Sequence, residues 1–193
     1  MNFLAHSQFG RHDPELIVGQ FCGDFFRGSR LEDFSPTIQA GILMHRKIDS
    51  YTDRHPINRE ARELFEKPYR RFAGVLTDIV YDHYLARNWS RYSNLSLDDH
   101  VEFVHQSLET KFQELPISLQ RFARHMIDTD MLRSYQNFDA VDQALRRIAK
   151  RSKRLAPLAG AGPVLHSLDH PLSNCFDRFY PELSVHVSTL FGD

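Results

Sequence analysis

The chain has 193 residues, of which 41% are hydrophobic and 25% are charged, with 9 glycines and 9 prolines. This composition is typical of one compact globular domain, and it excludes a disordered, collagen-like or membrane-spanning chain. The 24 Lys and Arg residues nearly balance the 25 Asp and Glu residues, for a net charge of -1, so no overall positive field attracts nucleic acid or anionic lipid.

Capping residues and prolines divide the chain into helices. Asp13 and Ser35 each precede a proline and are typical helix caps, and His55 before Pro56 ends the second helix. The predicted helices begin at Pro14, at Pro36 and near Ile57, and then cover about 69–91, 98–115, 118–128, 138–153 and 172–190. Residues 155–163 are the one loose connection. Since no stretch alternates with the period of a strand, we predict an all-α bundle of about seven to nine helices forming a single domain, 1–193.

The second predicted helix carries two titratable groups on its apolar face. At 100° per residue, His45 and Asp49 point to the side that should face the core. A buried charge needs a cation, a metal ion or several donors as its partner. These two side chains are four residues apart and can converge on one metal ion, although a structural pair supported by Arg46 or Lys47 is the alternative.

The segment 75–85 is apolar on nearly all sides, which predicts a central helix with its acidic residues inside the bundle. Those acids are Asp78 and Asp82, and His83 follows them. Inward carboxylates and histidines on two helices are how helical proteins build divalent metal sites. Salt bridges from the two acids to neighbouring arginines are the alternative interpretation.

The N-terminal third adds His6 and Asp24, the latter among aromatic and small residues. A core histidine is the alternative for His6, whereas the dipeptide of His12 and Asp13 is better explained as a helix cap than as a metal motif. The resulting mixture of oxygen and nitrogen ligands suits Mn²⁺, Fe²⁺ or Mg²⁺ better than a thiolate zinc site does. The candidate set is His6, Asp24, His45, Asp49, Asp78, Asp82 and His83.

The two cysteines, Cys22 and Cys175, fit neither a disulfide framework nor a metal clip. The first ten residues lack the basic start and long apolar run of a signal peptide. We therefore expect a cytoplasmic location.

These motifs, in this order, are similar to those of the acyl carrier protein phosphodiesterase family. The resemblance rests on Asn2-Phe3-Leu4-Ala5-His6, Gly23-Asp24-Phe25 with Arg27-Gly28, Gly41 with His45-Arg46-Lys47-Ile48-Asp49 and Thr52-Asp53, and Asp78 with Asp82-His83-Tyr84-Leu85 and Trp89. It implies hydrolysis of the 4'-phosphopantetheine group from holo acyl carrier protein, with Mn²⁺ as the expected metal and Mg²⁺ or Fe²⁺ as alternatives. It also implies a distant relation to HD-domain phosphohydrolases, although the usual order of His, His-Asp and Asp is absent, so the site would be either a circularly rearranged HD-like one or a separate helical one.

The resemblance also suggests roles for single residues. Phosphodiester hydrolysis needs an activated water, a positive group near the phosphate and help for the leaving oxygen. The expected metal ligands are Asp24, His45, Asp49, Asp82 and His83. We expect Asp78 to orient the water or act as base, and His6 to support the ligands or the leaving group. Arg27 and Arg46 are expected to face the phosphate.

A run of cations is the candidate docking surface for the carrier protein, which is acidic in the family picture. It consists of Arg146, Arg147, Lys150, Arg151, Lys153 and Arg154, with Arg121 and Arg124 nearby. A solvated helix face is the alternative, and a nucleic-acid site is disfavoured because no aromatic platform accompanies the run. We expect neither nucleic acid nor a membrane as partner.

Two other functions remain compatible with the sequence. An HD-type nucleotide phosphohydrolase would share the metal ligands but would not need the cation run. A non-catalytic module that binds acyl carrier protein would need the cations but no metal.

Overall fold

The computed structural model describes residues 2–10, 12–26 and 31–191. Arg27, which we expected to face the phosphate, lies outside these residues. The α-helices are α1 (Phe3–Gln8), α2 (Pro14–Phe25), α3 (Pro36–Arg54), α4 (Pro56–Glu63), α5 (Ala73–Arg87), α6 (Leu97–Thr110), α7 (Ile117–Asp128), α8 (Met131–Ser134), α9 (Phe138–Ala149), α10 (Gly162–Ser167) and α11 (Asp169–Phe191).

The prediction of an all-α domain is confirmed. The structure is 80% helical, and the described residues contain no strand. Eight of the eleven described helices have seven or more residues, which agrees with the predicted seven to nine because the other three are too short to carry a clear helical period.

The predicted caps form as expected. The Asp13 carboxylate accepts hydrogen bonds from the backbone N–H groups of Glu15 and Leu16, both at 2.9 Å. The Ser35 hydroxyl oxygen accepts one from Ile38 N–H at 3.2 Å. These bonds satisfy donors of the first turn that have no partner within the helix, so they fix where α2 and α3 begin.

Several predicted boundaries were wrong. The helix predicted over 69–91 is shorter, because 3₁₀ turns at Arg70–Phe72 and Trp89–Arg91 flank α5. The predicted connection 155–163 contains a 3₁₀ turn at Ala156–Gly160 and the start of α10, and α11 begins at Asp169 rather than Leu172. Short turns of this kind are set by packing against the rest of the chain rather than by local sequence.

Helices α2 and α3 meet at two glycines. A Cβ atom on Gly19 would lie 2.4 Å from the backbone oxygen of Ile38 and 2.7 Å from the Cα of Gly41. Both neighbours are backbone atoms that cannot move without separating the helices, so only glycine permits this approach. The contact aligns α3, with its candidate metal ligands, against α2.

Helix α5 lies at the centre of the domain, as its apolar sequence predicted. Ile79, Val80 and Tyr81 are all buried, and the helix contacts α1, α4, α9 and α11. A helix that is apolar on all sides is stable only when it is surrounded in this way. None of the described helices is long and apolar enough to cross a membrane.

Candidate metal centre

Three side chains from two helices converge on one point. The Asp49 carboxylate lies 3.1 Å from the Nε2 atom of His6 and 3.1 Å from the Nε2 atom of His45, one oxygen to each ring. The two rings stack with centroids 3.9 Å apart. Among the described residues, His6, His45 and Asp49 form the group whose ligand atoms could hold a metal ion, all within 4.8 Å of one another.

Gln20 orients the ring of His6 through the ring nitrogen that does not face Asp49. The His6 Nδ1 atom lies 3.1 Å from the Gln20 Oε1 atom, and both residues are buried. In the assigned amide orientation, Nδ1–H donates to Gln20 and the Nε2 lone pair faces the Asp49 carboxylate. Burial, and next the charge of His45, lower the pKa of His6. Two acceptors then face each other, and a cation between them would relieve their repulsion.

Gly23 provides the space for the ring of His45. A Cβ atom on Gly23 would lie 2.2 Å from the His45 Cγ atom, well inside van der Waals contact. The Nδ1 atom of His45 is buried without a hydrogen-bond partner in the described structure. The imidazole is therefore held by shape against α2, with its Nε2 atom directed towards Asp49 and, at 3.6 Å, Asp24.

The two carboxylates control the protonation of His45. Burial alone would lower the pKa of His45, but the hydrogen bonds to Asp24 and Asp49 outweigh it and raise the pKa to about 9. Burial would likewise raise the pKa of Asp49, yet its hydrogen bond to His45, and next its contact with His6, hold that pKa below its usual value. Without a metal, His45 carries a proton near neutral pH, and a bound divalent ion would replace that proton.

The centre opens to solvent on the carboxylate side. The side chains of Asp24 and Asp49 are 46% and 41% exposed, whereas those of His6 and His45 are only 3% and 4% exposed. The buried imidazoles and the partly exposed carboxylates together form a site that a charged substrate can reach from the surface.

The structure does not bring Asp82 and His83 to this group, although we had predicted both as ligands. The Asp82 carboxylate is fully buried and accepts hydrogen bonds from the backbone N–H groups of Leu4 and Ala5. His83 donates from Nδ1 to the carbonyl oxygen of Tyr135 at 2.7 Å. Burial raises the pKa of Asp82 to about 7 and lowers that of His83.

The other predicted site residues lie at different depths. Asp78 is half-buried on α5 and is not a member of the metal-binding group found in the described residues. Arg46 is exposed on α3 and directly follows His45 in the chain. Successive residues of a helix point about 100° apart, so this place in the chain does not by itself bring the guanidinium to the centre.

The predicted cation run lies on α9 and the segment after it, and one of its members touches α7. Arg147 is 2.6 Å from the Nε2 atom of His125. One turn earlier on α7, the ring of Phe122 lies 4.3 Å from that of Phe3 and 5.1 Å from that of Phe25. Because Phe3 precedes His6 by one turn and Phe25 directly follows Asp24, α7 connects the cation run to the edge of the metal centre.

Sequence reasoning missed two residues that shape the centre. Gln20 and Gly23 occupy adjacent positions on one face of α2, in the segment that the sequence marked only for Asp24. A polar residue at a core position of an apolar helix was the available signal for Gln20. Nothing local reveals that Gly23 accommodates a ring from another helix.

The chain is similar to known proteins over nearly its whole length. A family profile described as "Acyl carrier protein phosphodiesterase" matches residues 1–183. An acyl carrier protein phosphodiesterase of Yersinia enterocolitica is 33% identical over 95% of both chains. Proteins of the same name from Shigella boydii and Escherichia coli are 32% and 33% identical, over 97% of this chain and 98% of theirs. No solved structure matches the chain. With the match extending from α1 through most of α11 and including every residue of the centre, the chain belongs to the acyl carrier protein phosphodiesterase family.

Proposed function

We propose that this protein hydrolyses the phosphodiester that joins 4'-phosphopantetheine to a serine of acyl carrier protein. The family membership supports the reaction. The observation that carries the proposal is the bridging of two buried imidazoles by one half-exposed carboxylate, because such a centre combines fixed ligands with access for a protein-borne phosphate.

The residues of the centre fit a divalent cation. His6, His45 and Asp49 would hold it through two nitrogens and an oxygen, and Asp24 lies close enough to His45 to join them. A cation bound there supplies positive charge that stabilises the phosphate oxygens and makes a nearby water molecule more acidic. We propose Mn²⁺, with Mg²⁺ or Fe²⁺ as alternatives, because the ligand set mixes imidazole with carboxylate and includes no thiolate.

The side chains of this protein then perform two tasks. In the reaction a water molecule gives up one proton to a base as its oxygen forms a bond to phosphorus. The bond from phosphorus to the serine oxygen breaks, and the serine oxygen takes up one proton, so one proton passes from the water to the serine overall. Asp78 is our proposed base for the water, and Arg46 is proposed to neutralise a phosphate oxygen. The roles of Asp82 and His83 as ligands have no contact in the described structure to support them, and we do not retain them.

The direct test is mass spectrometry of holo acyl carrier protein incubated with this protein. We expect loss of the phosphopantetheine mass with Mn²⁺ and none after treatment with EDTA, because the ligand set needs its cation to act on the phosphate. Re-addition of Mn²⁺ to the treated sample should restore the reaction and is the control for damage by the chelator.

Three other outcomes would change the proposal. Turnover that survives complete metal removal would contradict the role of the centre. Hydrolysis of nucleotides without action on the carrier protein would favour the HD-type phosphohydrolase. Tight binding of the carrier protein without any turnover would favour the non-catalytic module.

We also propose that the cation run and the exposed arginines of α7 dock the carrier protein. Arg121, Arg124 and Arg151 are exposed, and the contact between Arg147 and His125 joins the run to α7. An acidic partner lying on this surface can reach the centre, since α7 contacts both α1 and α2 through Phe122.

A cytoplasmic location remains a prediction.

Reversal of one docking charge should weaken the Michaelis complex. For Arg151→Glu we expect a KM for holo acyl carrier protein that is about three- to tenfold higher, with kcat little changed, because an exposed interface charge affects encounter more than chemistry. Added salt should raise the KM of the original protein and should raise that of the variant less. Steady-state kinetics at two salt concentrations measures both effects.

The matched control is Arg59→Glu, which makes the same charge change on α4. Arg59 is exposed, and its helix packs against α3, α5 and α11. A small phosphodiester such as bis(4-nitrophenyl) phosphate should show the same KM with all three proteins. Equal increases in the KM for the carrier protein in both variants would show that net charge, and not this surface, governs docking.

A further inference from the structure

The first helix is too short to be stable alone, yet it carries one of the candidate ligands. Helix α1 has only six residues, and isolated helices of this length do not persist in water. Asn2 occupies its capping position but makes no side-chain cap hydrogen bond. Something else must therefore hold the first turn in place, and with it His6.

Asp82 supplies the missing cap from a distant part of the chain. Its Oδ2 atom accepts from Leu4 N–H at 2.8 Å and its Oδ1 atom from Ala5 N–H at 3.1 Å. These are the second and third residues of α1, whose N–H groups have no partner within a helix. Asp82 is fully buried on the central helix α5, so its carboxylate is a fixed reference point for α1.

We propose that Asp82 is a positioning residue that fixes His6 in the metal centre by capping α1. Ala5 is directly followed by His6, so a fixed first turn determines where the imidazole of His6 begins. Gln20 then orients the ring itself. The two residues thus hold His6 by its backbone and by its ring, and Asp82 makes no contact with the ion. This inference rests on the proposed metal centre for the role of His6, but the hydrogen bonds that hold α1 do not depend on it.

The test is Asp82→Asn, which keeps the size of the side chain but turns one acceptor into a donor facing a backbone N–H. In metal-free protein, ¹⁵N chemical shifts of the His6 ring should change from those of one tautomer to an average of two. The dissociation constant for Mn²⁺ should rise about 10- to 100-fold, as it does when supports of ligands are lost. At saturating Mn²⁺ we expect kcat to return to within a few fold of the original value.

Ser96→Ala is the matched control, because Ser96 caps α6 through Asp99 N–H at 3.0 Å. It removes a helix cap elsewhere, so it should lower stability without changing the His6 ring shifts or the affinity for Mn²⁺. The original protein also serves as a control for the metal centre. If it binds no Mn²⁺, the proposed centre fails, while the ring shifts still decide the role of Asp82.

Two results would overturn the proposal. Unchanged ring shifts together with unchanged affinity for Mn²⁺ would show that Asp82 contributes only to folding. Unchanged ring shifts together with a loss of Mn²⁺ binding that excess Mn²⁺ does not restore would show that Asp82 contacts the ion. If Asp82→Asn does not fold, amide hydrogen exchange in the original protein provides the test instead. Protection of Leu4 and Ala5 equal to that of core amides would support the cap, and unprotected exchange would overturn it.

Discussion

Replacing Asp49 with alanine should abolish both metal binding and hydrolysis. Among the residues that the structure describes, Asp49 is the one side chain that contacts the Nε2 atoms of both His6 and His45, so its loss removes a ligand and the partner that these two imidazoles share there. Loss of a group that merely supports a ligand costs about 10- to 100-fold, and we expect kcat/KM here to fall by more than about 100-fold. Turnover of holo acyl carrier protein and metal content after dialysis are the measurements.

The matched control is Asp53→Ala on the same helix. Asp53 lies one turn after Asp49 but is paired with Arg62 at 3.3 Å instead of a histidine. An exposed ion pair of this kind contributes about 0–1 kcal/mol, so activity and metal content should remain normal. Wild-type activity in the Asp49 variant, or an equal loss in both variants, would contradict the assigned centre.

The largest effect on stability is expected for Gly19→Ala. The added methyl would lie 2.4 Å from the backbone oxygen of Ile38, and relief of that overlap requires α2 and α3 to separate. Overpacking of a core typically costs about 1–3 kcal/mol, and we expect the upper end of that range because the atoms that the methyl would meet belong to the backbone of α3. Urea unfolding monitored by circular dichroism measures the change in the free energy of unfolding.

The same variant should also disturb the metal centre, since separation of the helices withdraws His45 from Asp24. The matched control is Gly74→Ala on α5, where a Cβ atom would meet nothing within 4 Å. That change should leave stability unchanged or raise it by about 0.5–1 kcal/mol, because alanine favours the helix. A Gly19 variant as stable as this control would mean that α2 and α3 are not in close contact.

Much of the fold could be predicted because its signals are local. Asp13 and Ser35 accept hydrogen bonds from backbone N–H groups that lie two and three residues further along the chain. These helix starts can therefore be predicted from the neighbouring sequence alone. The short helices α1, α8 and α10 were not predicted. Helix α1 shows the reason, because its cap comes from Asp82, 77 and 78 residues further along the chain.

The candidate site could be predicted in part. His45 and Asp49 lie one turn apart on α3, so the helical period alone places them on a common face, and their contact at 3.1 Å agrees. His6 was expected as a helper, but the structure places its Nε2 atom against Asp49 like that of His45. Asp82 was expected among the ligands because it was correctly predicted to be buried, but burial does not reveal its partner.

The sequence by itself determined the helical class, the main helix starts and the inward direction of His45 and Asp82. These properties depend on the period of a helix and on caps only a few residues away. Only the tertiary structure decided which inward side chains meet. Gly23 admits the ring of His45, Gln20 turns the ring of His6, and Asp82 binds backbone N–H groups. Each of these contacts joins different helices, and their relative positions result from packing the whole core, which no local pattern records.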